Sequence, residues 1–164
     1  MSKFDELLDH FEETRKEYEE NRETCWDFTR MFLDGFRDYF DCPQDKIKLH
    51  EPEGHCYKKL RVGENKAYHF AVLFTLAKDM DYPIPEFAPL TQIDLEFTII
   101  RLDQEKENPN FSLAFQVGET DGRFEVKFQE IKEREDIYSA LLEGVKNKIL
   151  TNFWEMKAPE EEEE

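Results

Sequence analysis

The stretch from 93 to 131 leaves little freedom of fold. Phe111, Leu113, Phe115 and Val117 alternate with polar or small residues, and Phe124, Val126 and Phe128 repeat the pattern after a short link. Ile93, Leu95, Phe97 and Ile99 carry the same period. Side chains of a strand point to opposite faces at every second residue, so each segment has one apolar and one polar face. A sheet made of them is wet on one side and needs a covering layer on the other. The turn chemistry of Glu119-Thr120-Asp121-Gly122 predicts that the last two segments form an antiparallel hairpin.

Short segments of β-type composition also fall at 46–50, 55–62 and 67–77. With 93–103, 110–118 and 123–131 they make a mainly antiparallel sheet of about six strands. Glu51-Pro52-Glu53-Gly54 and Asn108-Pro109-Asn110 supply turns between them. Residues 79–92 hold three of the seven prolines, which predicts an extended crossover.

Two helical segments provide the cover. Over 2–41, Phe4, Phe11, Tyr18, Cys25, Phe32 and Tyr39 recur every seven residues, with Leu8 and Phe36 at companion positions. The other companions are Arg15, Arg22 and Thr29, so the seam is half apolar and a strict coiled coil is not expected. Ser2 is placed to cap this helix, with Asp5 and Glu6 in a first turn whose dipole favours anions. The polar centre of this segment either projects from the domain or marks two helices meeting near Asn21. Over 134–157, Ile137, Leu141, Val145, Ile149 and Phe153 form a stripe at helical spacing that calls for packing on the sheet. Ala158-Pro159 ends it, and Glu160 to Glu164 form a self-repelling tail expected to be disordered.

The chain therefore reads as a single α+β domain over 1–157, followed by an acidic tail at 158–164. It comprises a long acidic helix (1–41), an antiparallel meander sheet (46–131) and an amphipathic C-terminal helix packed on that sheet (134–157). In element order and charge it resembles helix-grip ligand carriers and the small acidic chaperones of bacterial secretion systems.

Charge narrows the partners. The 164 residues carry a formal net charge of −17, which disfavours nucleic acid and anionic lipid and favours a basic protein. The three cysteines form no CxxC pair, the N-terminal stretch has no signal-peptide pattern, and no apolar run is long enough to span a membrane. A cytoplasmic protein is expected. The acids crowd the long helix at Glu12, Glu13, Glu17, Glu19, Glu20 and Glu23, in part paired within the helix as Glu12–Lys16 and Glu19–Arg22. These six are the candidate partner-binding residues. The half-apolar seam, with Phe4, Phe11 and Phe32, is also a candidate homodimer contact.

The one net-basic stretch is 42–66. A turn at 51–54 would pair 46–50 with 55–62, setting Lys46, Lys48 and His50 on one face opposite Lys59, Tyr57 and His55, with Cys56 toward the core. Lys46, Lys48 and Lys59 would form a basic strip, readable as a docking strip for acids or as lysines that blunt a sheet edge. His50 and His55, with Glu51 and Glu53 between them, are the candidate metal ligands, at a spacing that matches no established zinc signature. No GxSxG elbow, GxGxxG or P-loop is present, and only six glycines occur, so neither a catalytic residue nor a cofactor is assigned.

These observations lead to an expectation of a non-enzymatic, acidic protein-binding module, acting as adaptor, inhibitor or chaperone on a basic partner. The alternative is a carrier of a small hydrophobic ligand, held between sheet and C-terminal helix and lined by Phe70, Phe74, Phe97, Phe115 and Phe128. A metal-dependent enzyme at His50 and His55 is the third.

Overall fold

The computed structural model describes residues 2–50, 56–57, 60–76 and 92–155. A single unbroken helix, α1, runs Lys3–Phe40. Its start is a capping box: the Asp5 amide donates to Ser2 Oγ at 3.1 Å, and the Ser2 amide donates back to Asp5 Oδ2 at 3.4 Å. It stops at Asp41, which adopts the left-handed conformation (φ 51°) before Cys42-Pro43.

A 3-10 turn at Gln44–Lys46 leads into β1 (Ile47–Leu49), β2 (Cys56–Tyr57), β3 (Leu60–Val62), β4 (Ala67–Thr75), β5 (Gln92–Arg101), β6 (Asn110–Val117) and β7 (Thr120–Lys127). A second 3-10 segment, Phe128–Glu133, precedes the C-terminal helix α2 (Glu135–Glu155). All pairings are antiparallel, and the sheet is open, in the order β2-β3-β4-β5-β6-β7. β5 takes the whole of one side of β4, from Ala67↔Ile100 to Thr75↔Gln92. The other side is shared: β3 pairs with Tyr68 and His69, and β1 pairs with Val72, Leu73 and Phe74.

Both helices lie on one face of this sheet. The covered face carries the alternating residues read from the sequence, in register across the strands: Phe70 faces Phe97, Phe97 faces Phe115, and Phe115 faces Gly122. Gly122 is needed there, because a Cβ would run into the Phe115 ring. From α1, Cys25, Phe28, Phe32, Leu33 and Phe36 are buried against the sheet, and α2 adds Ile137, Tyr138, Leu141 and Val145. The two helices meet the second 3-10 segment at one point. The Tyr138 hydroxyl donates to the Ile131 carbonyl at 2.8 Å, and Gly35 of α1 makes room for it.

The structure differs from the sequence reading at three places. First, 46–50 does not form a hairpin with 55–62. β1 pairs with β4 instead, while β2 pairs with β3, Cys56 opposite Arg61 and Tyr57 opposite Leu60. Second, the β6–β7 link is Gly118-Glu119 rather than Glu119–Gly122, since Val117 faces Thr120 and Gly118 takes a positive φ of 60° suited to a two-residue turn. Third, the last strand ends at Lys127, and Phe128 opens a 3-10 segment. The expected turn at 51–54, the proline-rich crossover (apart from Gln92, which opens β5) and the Glu tail lie outside the described residues. So do His55 and Lys59.

Candidate functional site

α1 is longer than the sheet it covers. Its first buried residue is Cys25, and from Ser2 to Glu20 every side chain is exposed except half-buried Arg15. Glu20 marks the root of this arm, where Lys106 of the β5–β6 link reaches its carboxylate at 3.1 Å. At 1.5 Å per residue, the 18 residues from Lys3 to Glu20 extend about 27 Å.

The arm keeps the apolar face that the rest of α1 buries. Phe4, Phe11, Tyr18, Cys25 and Phe32 are successive members of one heptad series, so they lie along one side of the helix. Cys25 and Phe32 are fully buried, whereas Phe4 and Phe11 are 65% and 60% exposed. Leu7 and Leu8 fill the stripe between them and are exposed as well. A cluster of four large apolar side chains on one helix face is more than the scattered exposure usual on a protein surface.

Carboxylates flank the stripe. Residues 2–20 hold eight acidic and three basic side chains. Glu12 and Glu19 are both held by a fork from Arg15, which reaches them at 2.8 Å and 3.0 Å. Those two carboxylates raise the Arg15 pKa, by hydrogen bonds first and by charge second. Arg22 lies over the Tyr18 ring, 5.4 Å from its centroid. Glu13 and Glu17 are exposed on the same arm. Of the expected partner-binding residues, Glu12, Glu13, Glu17, Glu19 and Glu20 thus sit on the arm, and Glu23 lies just inside its root.

A second feature lies on the face of the sheet turned away from the two helices, at the notch where β1 and β3 divide the side of β4. His50, Arg61, His69, Ala71, Glu96 and Thr98 line a cavity of about 220 Å³ there, with the backbone side of Phe70 and Phe97 as part of its wall. β1 places His50 opposite Ala71, whose carbonyl accepts the His50 amide at 2.8 Å. His50 Nε2 lies 3.4 Å from Asp94 Oδ1. His69 is set between Arg61 and Thr98 by register, and its Nδ1 is 2.9 Å from Thr98 Oγ1. Burial, and then the charge of Arg61, lowers the His69 pKa. The cavity is smaller than the roughly 300–1,000 Å³ of sites that enclose a ligand of drug size.

Of the expected basic strip, Lys48 lies on this same face opposite Leu73, while Lys46 belongs to the 3-10 turn. Among the described residues, no three His, Cys, Asp or Glu side chains gather as a metal's ligand set would. His50 is drawn toward Asp94, which the sequence reading did not single out. The expected cavity-lining phenylalanines pack against other rings. Phe70 and Phe97 stack at 4.9 Å and both meet Phe32, and Phe74 meets Phe36 and Phe40. Phe115 stacks with Phe124, and Phe128 is 6.3 Å from Phe28 and from Phe111.

Compared with protein-family models, curated proteins and solved structures, the chain matches none.

Proposed function

We propose that this protein is a non-enzymatic binding module that presents the α1 arm to a basic protein partner. The observation that carries this reading is the heptad series whose inner members, Cys25 and Phe32, are fully buried while its outer members, Phe4 and Phe11, stand in water. An amphipathic helix in this state fits an apolar groove on another protein, with anchors at i, i+3, i+4 and i+7. Phe4, Leu7, Leu8 and Phe11 have that spacing. The flanking acids select a groove rimmed with Lys or Arg, and they oppose pairing of two arms, because that would bring two strongly acidic helices together. Homodimerisation through this helix is therefore the weaker use of the stripe. The reading as a small-ligand carrier is also weaker, since the phenylalanines assigned to it are engaged with rings of α1 and of the sheet.

The test compares the full chain with a Phe4→Ser, Leu8→Ser, Phe11→Ser variant in capture from cell extract. The expected result is a basic protein retained at low salt by the unsubstituted chain, released at high salt, and not retained by the variant. Recovery of no basic protein, or equal recovery by the variant, would rule the reading out.

A further inference from the structure

β7 ends the sheet. Among the described residues its one neighbouring strand is β6, so its other side has no strand partner, and Arg134 reaches it at the Glu125 carbonyl. The link Gly118-Glu119 makes Val117 and Thr120 the closing hydrogen-bonded pair, and alternate residues follow from there. Even-numbered residues of β7 direct N–H and C=O at β6, and Asp121, Arg123, Glu125 and Lys127 direct theirs outward. Two contacts agree with this parity. The Phe128 amide donates back across the sheet to the Pro109 carbonyl at 2.9 Å, and the Glu125 carbonyl accepts from Arg134 Nη1 at 2.9 Å.

The same four residues put their side chains on the face turned away from the helices, and their charges alternate: negative, positive, negative, positive. Gly122, Phe124 and Val126 fall between them on the helix-covered face. An antiparallel copy related by a two-fold axis at Phe124 sets Arg123 opposite Glu125 of that copy, and Asp121 opposite its Lys127. Each pair occurs twice, as an isologous contact requires. The parity of the ladder is met as well. Arg123 and Glu125 both carry outward backbone groups, so they exchange two hydrogen bonds, and Phe124 meets its own counterpart at the closer, non-hydrogen-bonded position.

Other registers match fewer opposite charges: an axis at Gly122 keeps only Asp121 opposite Arg123, and an axis at Val126 keeps only Glu125 opposite Lys127. An axis at Arg123 opposes Arg123 to itself and Asp121 to Glu125. An axis at Gly122 opposes Glu119 to Glu125, and an axis at Val126 leaves Arg123 and Asp121 without acidic or basic partners. A charged edge usually serves to refuse strand addition, and a row of lysines would do so here. An alternating row refuses most strands but accepts its own inverse. Arg134 uses one lone pair of the Glu125 carbonyl and its side chain has to turn aside for the incoming strand, leaving the other lone pair to accept from the Arg123 amide of the copy.

We infer that two copies of this chain associate along β7 in that single register, giving a two-fold dimer with one continuous sheet. The axis stands perpendicular to the sheet, so the helices of both copies lie on the same side.

Sedimentation equilibrium over a broad concentration range tests this with charge swaps. The unsubstituted chain should show twice the monomer mass. Arg123→Glu alone and Glu125→Arg alone should each be monomeric, since each opposes like charges across the axis. An equimolar mixture of those two variants should return to the dimer mass, as should the double variant R123E/E125R. Thermal melting checks that each variant is folded. Amide exchange on the unsubstituted chain provides an independent measure: protection of the Arg123 and Glu125 amides should rise with protein concentration. A monomer at every concentration, single variants that stay dimeric, a mixture that fails to reassociate, or exchange unaffected by concentration would each overturn the inference.

Discussion

Gly63 lies beneath the His69 imidazole so closely that a Cβ on it would collide with Nε2. Gly63→Ala must displace that ring from Thr98, and loss of that one contact costs about 1 kcal/mol, measurable as a lower denaturant midpoint. His69 also ties stability to pH. Its pKa is lowered in the folded state by burial and then by Arg61, so as pH falls through about 6.5 the unfolded chain takes up protons that the folded chain refuses. This site exerts no penalty well above that pH, and its penalty grows down to the folded pKa. Between about pH 7.5 and pH 5, the melting temperature of His69→Gln should fall less than that of the unsubstituted chain, and equal falls would show that His69 is not the group responsible. Tyr138 is a third such point. Burial raises its pKa above the ordinary tyrosine value, and Tyr138→Phe removes the bond to the Ile131 carbonyl at an expected cost of about 1 kcal/mol in equilibrium unfolding.

At the scale of elements, α1 is two helices in energetic terms. Phe32→Ala removes a fully buried ring that touches Phe70, Phe97 and Tyr138, and should cost about 3–5 kcal/mol. Phe11→Ala, about two and a half turns beyond the root, should stay within about 0.5 kcal/mol of zero in the same unfolding measurement. The heptad pattern foretold both residues equally well, because Phe11 and Phe32 occupy the same position in the repeat. Which of them is buried depends on where the sheet ends, and that is a property of the assembled molecule. The strands follow the same logic. In β1 and β3, Ile47 and Leu60 are buried and Leu49 packs against the core. Alternation says nothing about neighbours, and so it does not distinguish β4, the strand that β1 pairs with, from 55–62. The turn chemistry of Glu51-Pro52-Glu53-Gly54 favours pairing 46–50 with 55–62, whereas the sequence between Tyr57 and Leu60 carries no turn signal. Phe128 continued the alternating pattern past the point where the strand stops. The acids of the arm were legible from composition, but the notch with Asp94 and His69 beside His50, and the self-complementary edge of β7, became legible only with strand order and register.

For the whole molecule, the −17 net charge is unevenly used. The arm concentrates it, whereas the β7 edge balances it residue by residue. In a β7 dimer, antiparallel pairing sets the end of one sheet where α1 enters beside the opposite end of the other. The two arms therefore leave in opposite directions, and two bound partners would sit far apart. Capture of a basic partner should weaken steadily as ionic strength rises from about 0.05 to 0.5 M, since the Debye length shrinks to a few ångström over that range. The overhang of α1 has a further consequence, concerning how the chain is cut. Helix that packs on nothing opens without the core having to open, so its peptide bonds reach a protease from the native state. Trypsin should cleave α1 first after Arg15 or Lys16 and leave the bonds after Arg30 and Arg37 intact, because the latter two stand on the half of α1 that is held by the sheet. The shortened chain should melt at nearly the temperature of the full one.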